Sequence, residues 1–165
     1  MSQVKQFQKD LEREAAITRK MLSRVPDGKY DWKPHPKSMS IRQLTTHIAE
    51  LPSWFDLTLN ANGLDFATMD YKPTIVDDTK TLLEVFEKNL ADGREQLANA
   101  KEETLDEMWT MRNGDKVYST EPKGDVIRMT FSQMIHHRAQ LGVFLRLLDV
   151  PIPGSYGPSA DEPFS

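Results

Sequence analysis

Two histidines in segments of helical periodicity are the residues best suited by type and spacing to do chemistry. His47 lies at the flank of one apolar helical stripe, and His137 lies roughly 60° from the centre of another, because each residue of an α-helix advances by about 100°. The same rule turns His136 roughly 160° from that centre, toward water. Gln133 precedes His137 by one turn on the same side. Neutral imidazole is a common metal ligand, so these histidines with the Gln133 carbonyl could hold a divalent ion and leave positions for water.

The same spacing also fits two histidines that are simply hydrogen-bonded within a core, and the spacing alone does not separate these readings. Glu14 points inward on the first helix, and a buried carboxylate needs a partner. Arg138, which falls inside an apolar stripe, is one candidate partner, and a metal site is the other. Glu50 points away from the stripe of its helix, which predicts a solvated side chain.

Four segments carry apolar residues at helical spacing, which predicts a four-helix bundle of the all-α class. Pro52 lies within the second segment and predicts a kink there. The predicted helices cover residues 2–24, Ser38 or Ser40 to Asn62-Gly63, Asp77 or Asp78 through Leu97, and residues 125–149.

Shorter segments between these helices have other patterns. Residues 64–76 are predicted to form a loop. Residues 108–122 contain Asn113-Gly114 between apolar residues, which indicates a small hairpin or an ordered loop. Residues 150–165 are rich in proline, glycine and serine, which predicts an irregular surface tail.

Composition narrows the possible functions. The 165 residues fit a single domain, 1–165, and contain no cysteine, which excludes disulfides and thiolate ligands. The net charge of −4 without a basic patch argues against nucleic-acid binding. No run of about 18 apolar residues predicts a membrane span. A cytoplasmic location is predicted from the lack of cysteine together with an N-terminus unlike a signal peptide.

Three stretches resemble the DinB family, a branch of the DinB/YfiT-like metalloenzyme superfamily. They are TRKMLSRVP at 18–26, WKPHPKSMSIRQLTTHIAE at 32–50 and HHRAQLGVFLRLLDVPIPGSYGPSADE at 136–162. The resemblance implies an up-down-down-up four-helix bundle, often a homodimer. It also implies a divalent metal ion, commonly nickel or zinc, held by three histidines.

Two of the family's ligand positions fall on His47 and His137. The third falls on Gln133, where this chain departs from the family, and the amide oxygen of glutamine is a harder and weaker ligand. His136 is the alternative third ligand. The departure leaves open which metal binds and whether a reaction survives.

Some relatives in the superfamily are thiol-dependent S-transferases, so the resemblance predicts a metal-dependent transferase or hydrolase, with a role in stress or detoxification. A low-molecular-weight thiol could then serve as cofactor. The alternatives are a non-catalytic bundle that binds a metal or small ligand, and a homodimer whose interface uses loop aromatics. Those aromatics are Trp32, Tyr156 and Phe164, all predicted to be exposed.

Overall fold

The computed structural model describes residues 2–72 and 74–163, and helices dominate it. A single turn of 3-10 helix, Leu51–Ser53, separates α2 from α3, so these two helices together form the second rod of the bundle. The kink predicted at Pro52 lies in this turn. The helices are α1 (Gln3–Leu22), α2 (Ile41–Glu50), α3 (Trp54–Asn60), α4 (Thr79–Asn99) and α5 (Lys123–Leu147).

The helix starts follow side chains that the sequence already offered as caps. Ser40 accepts a hydrogen bond from the backbone N–H of Gln43, and the Gln43 side chain accepts one from the N–H of Ser40. Asp78 caps α4 by accepting from the N–H of Thr81. Between the alternatives that the sequence left open, Ser40 and Asp78 are therefore the caps.

The core lies where α1 and the α2–α3 rod each pack against both α4 and α5. Phe131 of α5 joins the two sides, with its ring centroid 6.0 Å from that of Phe7 and 5.1 Å from that of Phe55. Gly93 lets α4 approach the kinked rod closely, because a Cβ at this position would lie 2.8 Å from the carbonyl oxygen of Pro52. Any larger residue at position 93 would push the rod away.

A three-stranded sheet corrects the all-α prediction. β2 (Met108–Asn113) and β3 (Lys116–Pro122) form the antiparallel hairpin predicted for residues 108–122, and Gly114 takes the positive φ of 58° that its turn requires. β1 (Gly63–Asp65) pairs parallel to β2, inside the segment predicted to be loop. A three-residue strand is too short for alternation to reveal, so its pairing follows from the fold.

The tail is irregular through residue 163, as predicted, but an ion pair joins it to α5 and hydrogen bonds link its own residues. The Asp161 carboxylate pairs with Arg146 and accepts from the N–H of Ile152 at 3.0 Å. The carboxylate of Glu162 accepts from the N–H of Gly154 at 2.8 Å. The tail therefore forms part of the folded structure although it has no helix or strand.

One of the three loop aromatics, Trp32, differs from its predicted exposure. Trp32 is half-buried, with its ring edge-on to Phe144 at 5.7 Å, because the loop folds back onto α5. Tyr156 is 52% exposed, as predicted, and Phe164 lies outside the described residues. The homodimer stays a prediction. Across residues 2–72 and 74–163, no helix combines the length and apolarity needed to cross a membrane.

Candidate metal centre

The two predicted histidines meet in the interior face of the bundle. His47 lies in the last turn of α2 and His137 near the middle of α5, and their ring centroids are 4.6 Å apart at an interplanar angle of 84°. Both side chains are partly buried. No described residue forms a hydrogen bond with the ring nitrogens of His47. Helical periodicity therefore predicted the approach of the two rings correctly.

Gln133 lies beside this pair. Its Oε1 atom is 2.8 Å from Nε2 of His137, while Oε1 of Gln140 is 2.9 Å from Nδ1 of the same ring. A neutral imidazole has one N–H, so it can donate to only one of these two oxygens. The lone pair of the other ring nitrogen then faces an amide oxygen, a contact that would be relieved if the amide turned or if both atoms bound one cation.

This set of donors fits a divalent ion. Two atoms that each bind one ion at about 2.1 Å lie about 3.0 to 3.4 Å apart, which is close to the 2.8 Å between Gln133 Oε1 and His137 Nε2. His47 adds a half-buried imidazole whose nitrogens have no partner among the described residues. Two imidazoles and one amide oxygen would leave further positions open.

His136 points into solvent, as predicted. Its side chain is exposed although its ring centroid lies 4.9 Å from that of His137. Within residues 2–72 and 74–163, no three side chains of histidine, aspartate or glutamate lie close enough together to hold a metal ion. A three-ligand site here consequently needs the amide of Gln133.

Burial favours the neutral form of both histidines, which is the form that can bind a metal. Burial is the main cause that lowers the pKa of His47, and the neighbouring His137 lowers it further while Glu50 opposes the shift. Burial likewise lowers the pKa of His137, against a hydrogen bond with Gln140 that raises it. Each folded-state pKa therefore lies below its value in the unfolded chain.

These pKa shifts predict how stability depends on pH. Below the unfolded pKa of about 6.5, the unfolded chain binds protons that the folded metal-free protein resists, so the free energy of unfolding falls. Urea unfolding of the metal-free protein should give a lower midpoint at about pH 5.5 than at about pH 7.5. The double variant His47→Asn, His137→Asn should lose less stability over this range, and an unchanged decline would contradict the assignment.

A cleft gives access to the histidine pair. A cavity of about 540 Å³ reaches His47 from the side of α4, and a smaller one of about 210 Å³ reaches His47 and Gln133 from the side of the sheet. His47, Trp54 and Phe66 line both cavities, so the two adjoin, and we refer to them as the larger and the smaller chamber of one cleft. Large apolar cavities with a few polar groups are the usual form of ligand sites.

Glu50 holds the loop that forms the outer wall of the larger chamber. Its carboxylate accepts hydrogen bonds from the hydroxyls of Tyr71 at 2.6 Å and Thr74 at 2.8 Å, and from the N–H of Thr74 at 3.3 Å. Burial and the Glu50 carboxylate raise the pKa of Tyr71 to about 12, so the phenol remains a donor at neutral pH. Glu50 is partly exposed, as its predicted solvation requires, but the sequence did not reveal these contacts because Tyr71 lies 21 residues away along the chain.

Arg138, rather than a metal site, is the partner of Glu14. A guanidinium nitrogen lies 2.8 Å from Glu14 Oε2, and the two side chains are only 3% and 8% exposed. The other terminal nitrogen donates to the Thr18 hydroxyl at 2.9 Å. The Tyr156 hydroxyl bridges the pair, accepting from Arg138 and donating to Glu14, each at 2.7 Å. Glu14 is thereby committed to structure.

The sequence profile of the DinB family matches residues 1–163, and the chain belongs to that family. YrdA of Bacillus subtilis strain 168, a protein described as uncharacterized, is 25% identical over 164 residues, which cover 94% of this chain and 89% of YrdA. The resemblance to the DinB family, which was predicted from residues 18–26, 32–50 and 136–162, is thus confirmed.

Solved structures of DinB-like proteins share the fold. YjoA of Bacillus subtilis superimposes with a TM-score of 0.72 at 18% identity, over 91% of this chain and 97% of YjoA. A protein of Bacillus cereus ATCC 10987 gives 0.72 at 22% identity, over 94% of this chain and 100% of that one. YfiT of Bacillus subtilis gives 0.65 at 14% identity, over 88% and 87%, and is described as a probable metal-dependent hydrolase with an unusual four-helix bundle topology.

Proposed function

We propose that the chain binds one divalent metal ion through His47, His137 and Gln133 and acts as a metal-dependent enzyme on a small organic substrate. The approach of two imidazole rings to 4.6 Å beside an open cleft is the observation that carries this proposal. Nickel and zinc suit imidazole ligands, whereas the amide oxygen is a harder donor that weakens binding of a soft ion.

The chain's own residues have distinct tasks in this proposal. A bound divalent ion would supply Lewis-acid chemistry, lowering the pKa of a water molecule or a thiol that binds it. Gln140 would orient the His137 ring through its Nδ1 atom, which leaves Nε2 free to bind the ion. Trp54 and Phe66 would shield the site from bulk water at the junction of the two chambers.

Hydrolysis and thiol transfer are both compatible with this arrangement. The description of YfiT as a probable metal-dependent hydrolase supports the first reaction. Thiol transfer would draw its nucleophile from a low-molecular-weight thiol, since the chain has no cysteine of its own. Either reaction fits a role in stress or detoxification.

A non-catalytic metal-binding or small-ligand-binding bundle is the second candidate. This candidate is favoured by glutamine, a weaker ligand than histidine, at position 133. It is also favoured by Glu50, because this carboxylate lines the larger chamber but already accepts hydrogen bonds from Tyr71 and Thr74. A carboxylate engaged in this way is a poor general base. Turnover of model esters or thiol adducts by the metal-loaded protein would favour the enzyme over this candidate.

Substitution of Gln133 by histidine tests the third ligand. If Gln133 holds the ion, Gln133→His should tighten binding of nickel or zinc by about tenfold or more, because imidazole is the better ligand for these ions. Competition with a chromogenic chelator measures this affinity. Ser132→His, at the exposed neighbouring position of the same helix, is the matched control and should not tighten binding. An unchanged affinity for Gln133→His would place residue 133 outside the metal's ligands.

We also propose that the four rods of the bundle run up-down-down-up. Gln8 near the start of α1 donates to the carbonyl of Leu97 near the end of α4, and Thr79 at the start of α4 donates to that of Val25 after α1, which supports opposite directions. Two other pairs, α1 with α5 and the α2–α3 rod with α4, make contacts in which the residue numbers of both partners rise together, which supports parallel directions. These contacts are Phe7 with Phe131, Glu14 with Arg138, Asn89 with Ala49, and Gln96 with Asn60.

A further inference from the structure

The larger chamber exposes apolar side chains to solvent on a concave surface. Phe66 is 44% exposed, Met69 is 38% exposed and Tyr71 is 52% exposed, and all three line the chamber. Isolated apolar side chains on a convex surface are ordinary, but several around one cavity indicate an apolar ligand. Glu50 accepts a hydrogen bond from Tyr71, while the backbone N–H groups of Phe66 and Met69 donate to the carbonyls of Arg112 and Asp65, so each of the three has a hydrogen bond that positions it.

One carboxylate and one ammonium line the same chamber, and they differ in their partners. The Glu50 carboxylate accepts three hydrogen bonds from Tyr71 and Thr74, which stabilise its negative charge. The Lys88 side chain also lines the chamber, and it has no hydrogen bond or ion pair with any residue in 2–72 or 74–163. The ammonium group of Lys88 is therefore available to a ligand, whereas the carboxylate oxygens of Glu50 already accept hydrogen bonds from the protein.

The smaller chamber is apolar around the candidate metal ligands. Leu51, Met111 and Met129 line it together with His47 and Gln133. A ligand that extends through both chambers would pass Trp54 and Phe66, which line each of them. One end would lie near Lys88 and the other near His47 and Gln133.

We propose that the cleft binds an amphipathic organic anion, with its apolar or aromatic body between Trp54 and Phe66 and its anionic group at Lys88. The opposite, uncharged end lies in the smaller chamber beside His47 and Gln133. The assignment of that end as the reacting end rests on the proposed metal-dependent function. The binding of the anion itself does not require the metal.

A pair of fluorescent probes that differ only by one sulfonate group tests this proposal on the 165-residue chain. The anionic probe is 1-anilinonaphthalene-8-sulfonate, and the neutral probe is N-phenyl-1-naphthylamine, which lacks the sulfonate. Lys88→Met should weaken the anionic probe by about fivefold or more, since a charge-assisted contact is lost, and should change the neutral probe by less than about twofold. Lys80→Met, on the same helix outside the cleft, should change neither.

Phe66→Ala locates the bound probe and should weaken both probes by about fivefold or more, through loss of apolar contact. Val143→Ser, which alters a separate cavity between α5 and the tail, should change neither. Circular dichroism confirms that each variant is folded. Equal weakening of both probes by Lys88→Met, or no effect of Phe66→Ala, would overturn the proposal.

The two proposals fail in different measurements. Probe affinities are measured on metal-free and metal-loaded protein in parallel, while bound metal is quantified separately. A protein that binds no metal but follows the expected probe pattern would refute the proposed function alone. A protein that binds metal but shows no charge-dependent probe affinity would refute this inference alone.

Discussion

Replacing either His47 or His137 by alanine is expected to weaken the binding of nickel or zinc by at least about 100-fold. Loss of groups that merely orient a metal ligand already costs about 10- to 100-fold in affinity, and loss of the ligand itself should cost at least as much. Titration against a competing chelator, with metal content after dialysis as a second measurement, gives the affinity. Both variants should remain folded, because neither ring is fully buried.

Two other histidines serve as matched controls for this experiment. His35 is exposed in the loop before α2, and His136 is exposed next to His137. Alanine at either position should leave the affinity within about twofold, as expected for residues that do not bind the ion. A large loss for His136→Ala would instead make His136 the third ligand. Unchanged metal affinity in both His47→Ala and His137→Ala would refute the site.

Replacing Arg138 by methionine is expected to produce the largest loss of stability, about 3–5 kcal/mol of the free energy of unfolding. The change leaves the carboxylate of Glu14 buried without its cation, and it also removes the donors to Thr18 and Tyr156. Urea unfolding followed by circular dichroism measures the loss. The hydroxyl of Tyr156 still donates to Glu14 in the variant but carries no compensating charge.

An exposed ion pair provides the control for Arg138. Arg94 contacts Glu12 between α4 and α1 at 2.6 Å, with 41% and 57% of the side chains exposed, and Arg94→Met should cost at most about 1 kcal/mol. The double variant Glu14→Leu, Arg138→Met should recover most of the lost stability, since no buried charge is left unpaired. If the free energy of unfolding of Arg138→Met lies within about 1 kcal/mol of that of the natural protein, the buried ion pair does not stabilise the fold as proposed.

Helical periodicity predicted most of the bundle and the meeting of the two histidines. The apolar face of an amphipathic helix packs against the core. The direction of His47 or His137 therefore follows from the number of residues that separate it from the apolar positions of its helix. Periodicity also predicted that His136 points outward and Glu14 inward, and the structure agrees at each position. Helix caps, such as Ser40 with Gln43, could also be predicted from the sequence because the two residues of a cap lie within one turn of each other.

Contacts between distant segments were not readable in this way. β1 pairs with β2 through residues 63–65 and 110–112. The segment is too short for an alternation of apolar and polar residues to predict a strand there. The role of Glu50 depends on Tyr71 and Thr74, which lie in a loop without periodicity. The position of Trp32 against Phe144 depends on how a proline-containing loop returns to α5. Such features require the assembled fold.

Anomalous diffraction at the nickel absorption edge, from crystals grown with nickel, tests the central claim most directly. The expected result is a single strong peak at about 2.0–2.2 Å from one ring nitrogen of His47 and from Nε2 of His137, with Oε1 of Gln133 as a third neighbour. A nickel ion bound elsewhere, or a direct contact between the two imidazole rings with no ion beside them, would contradict the account.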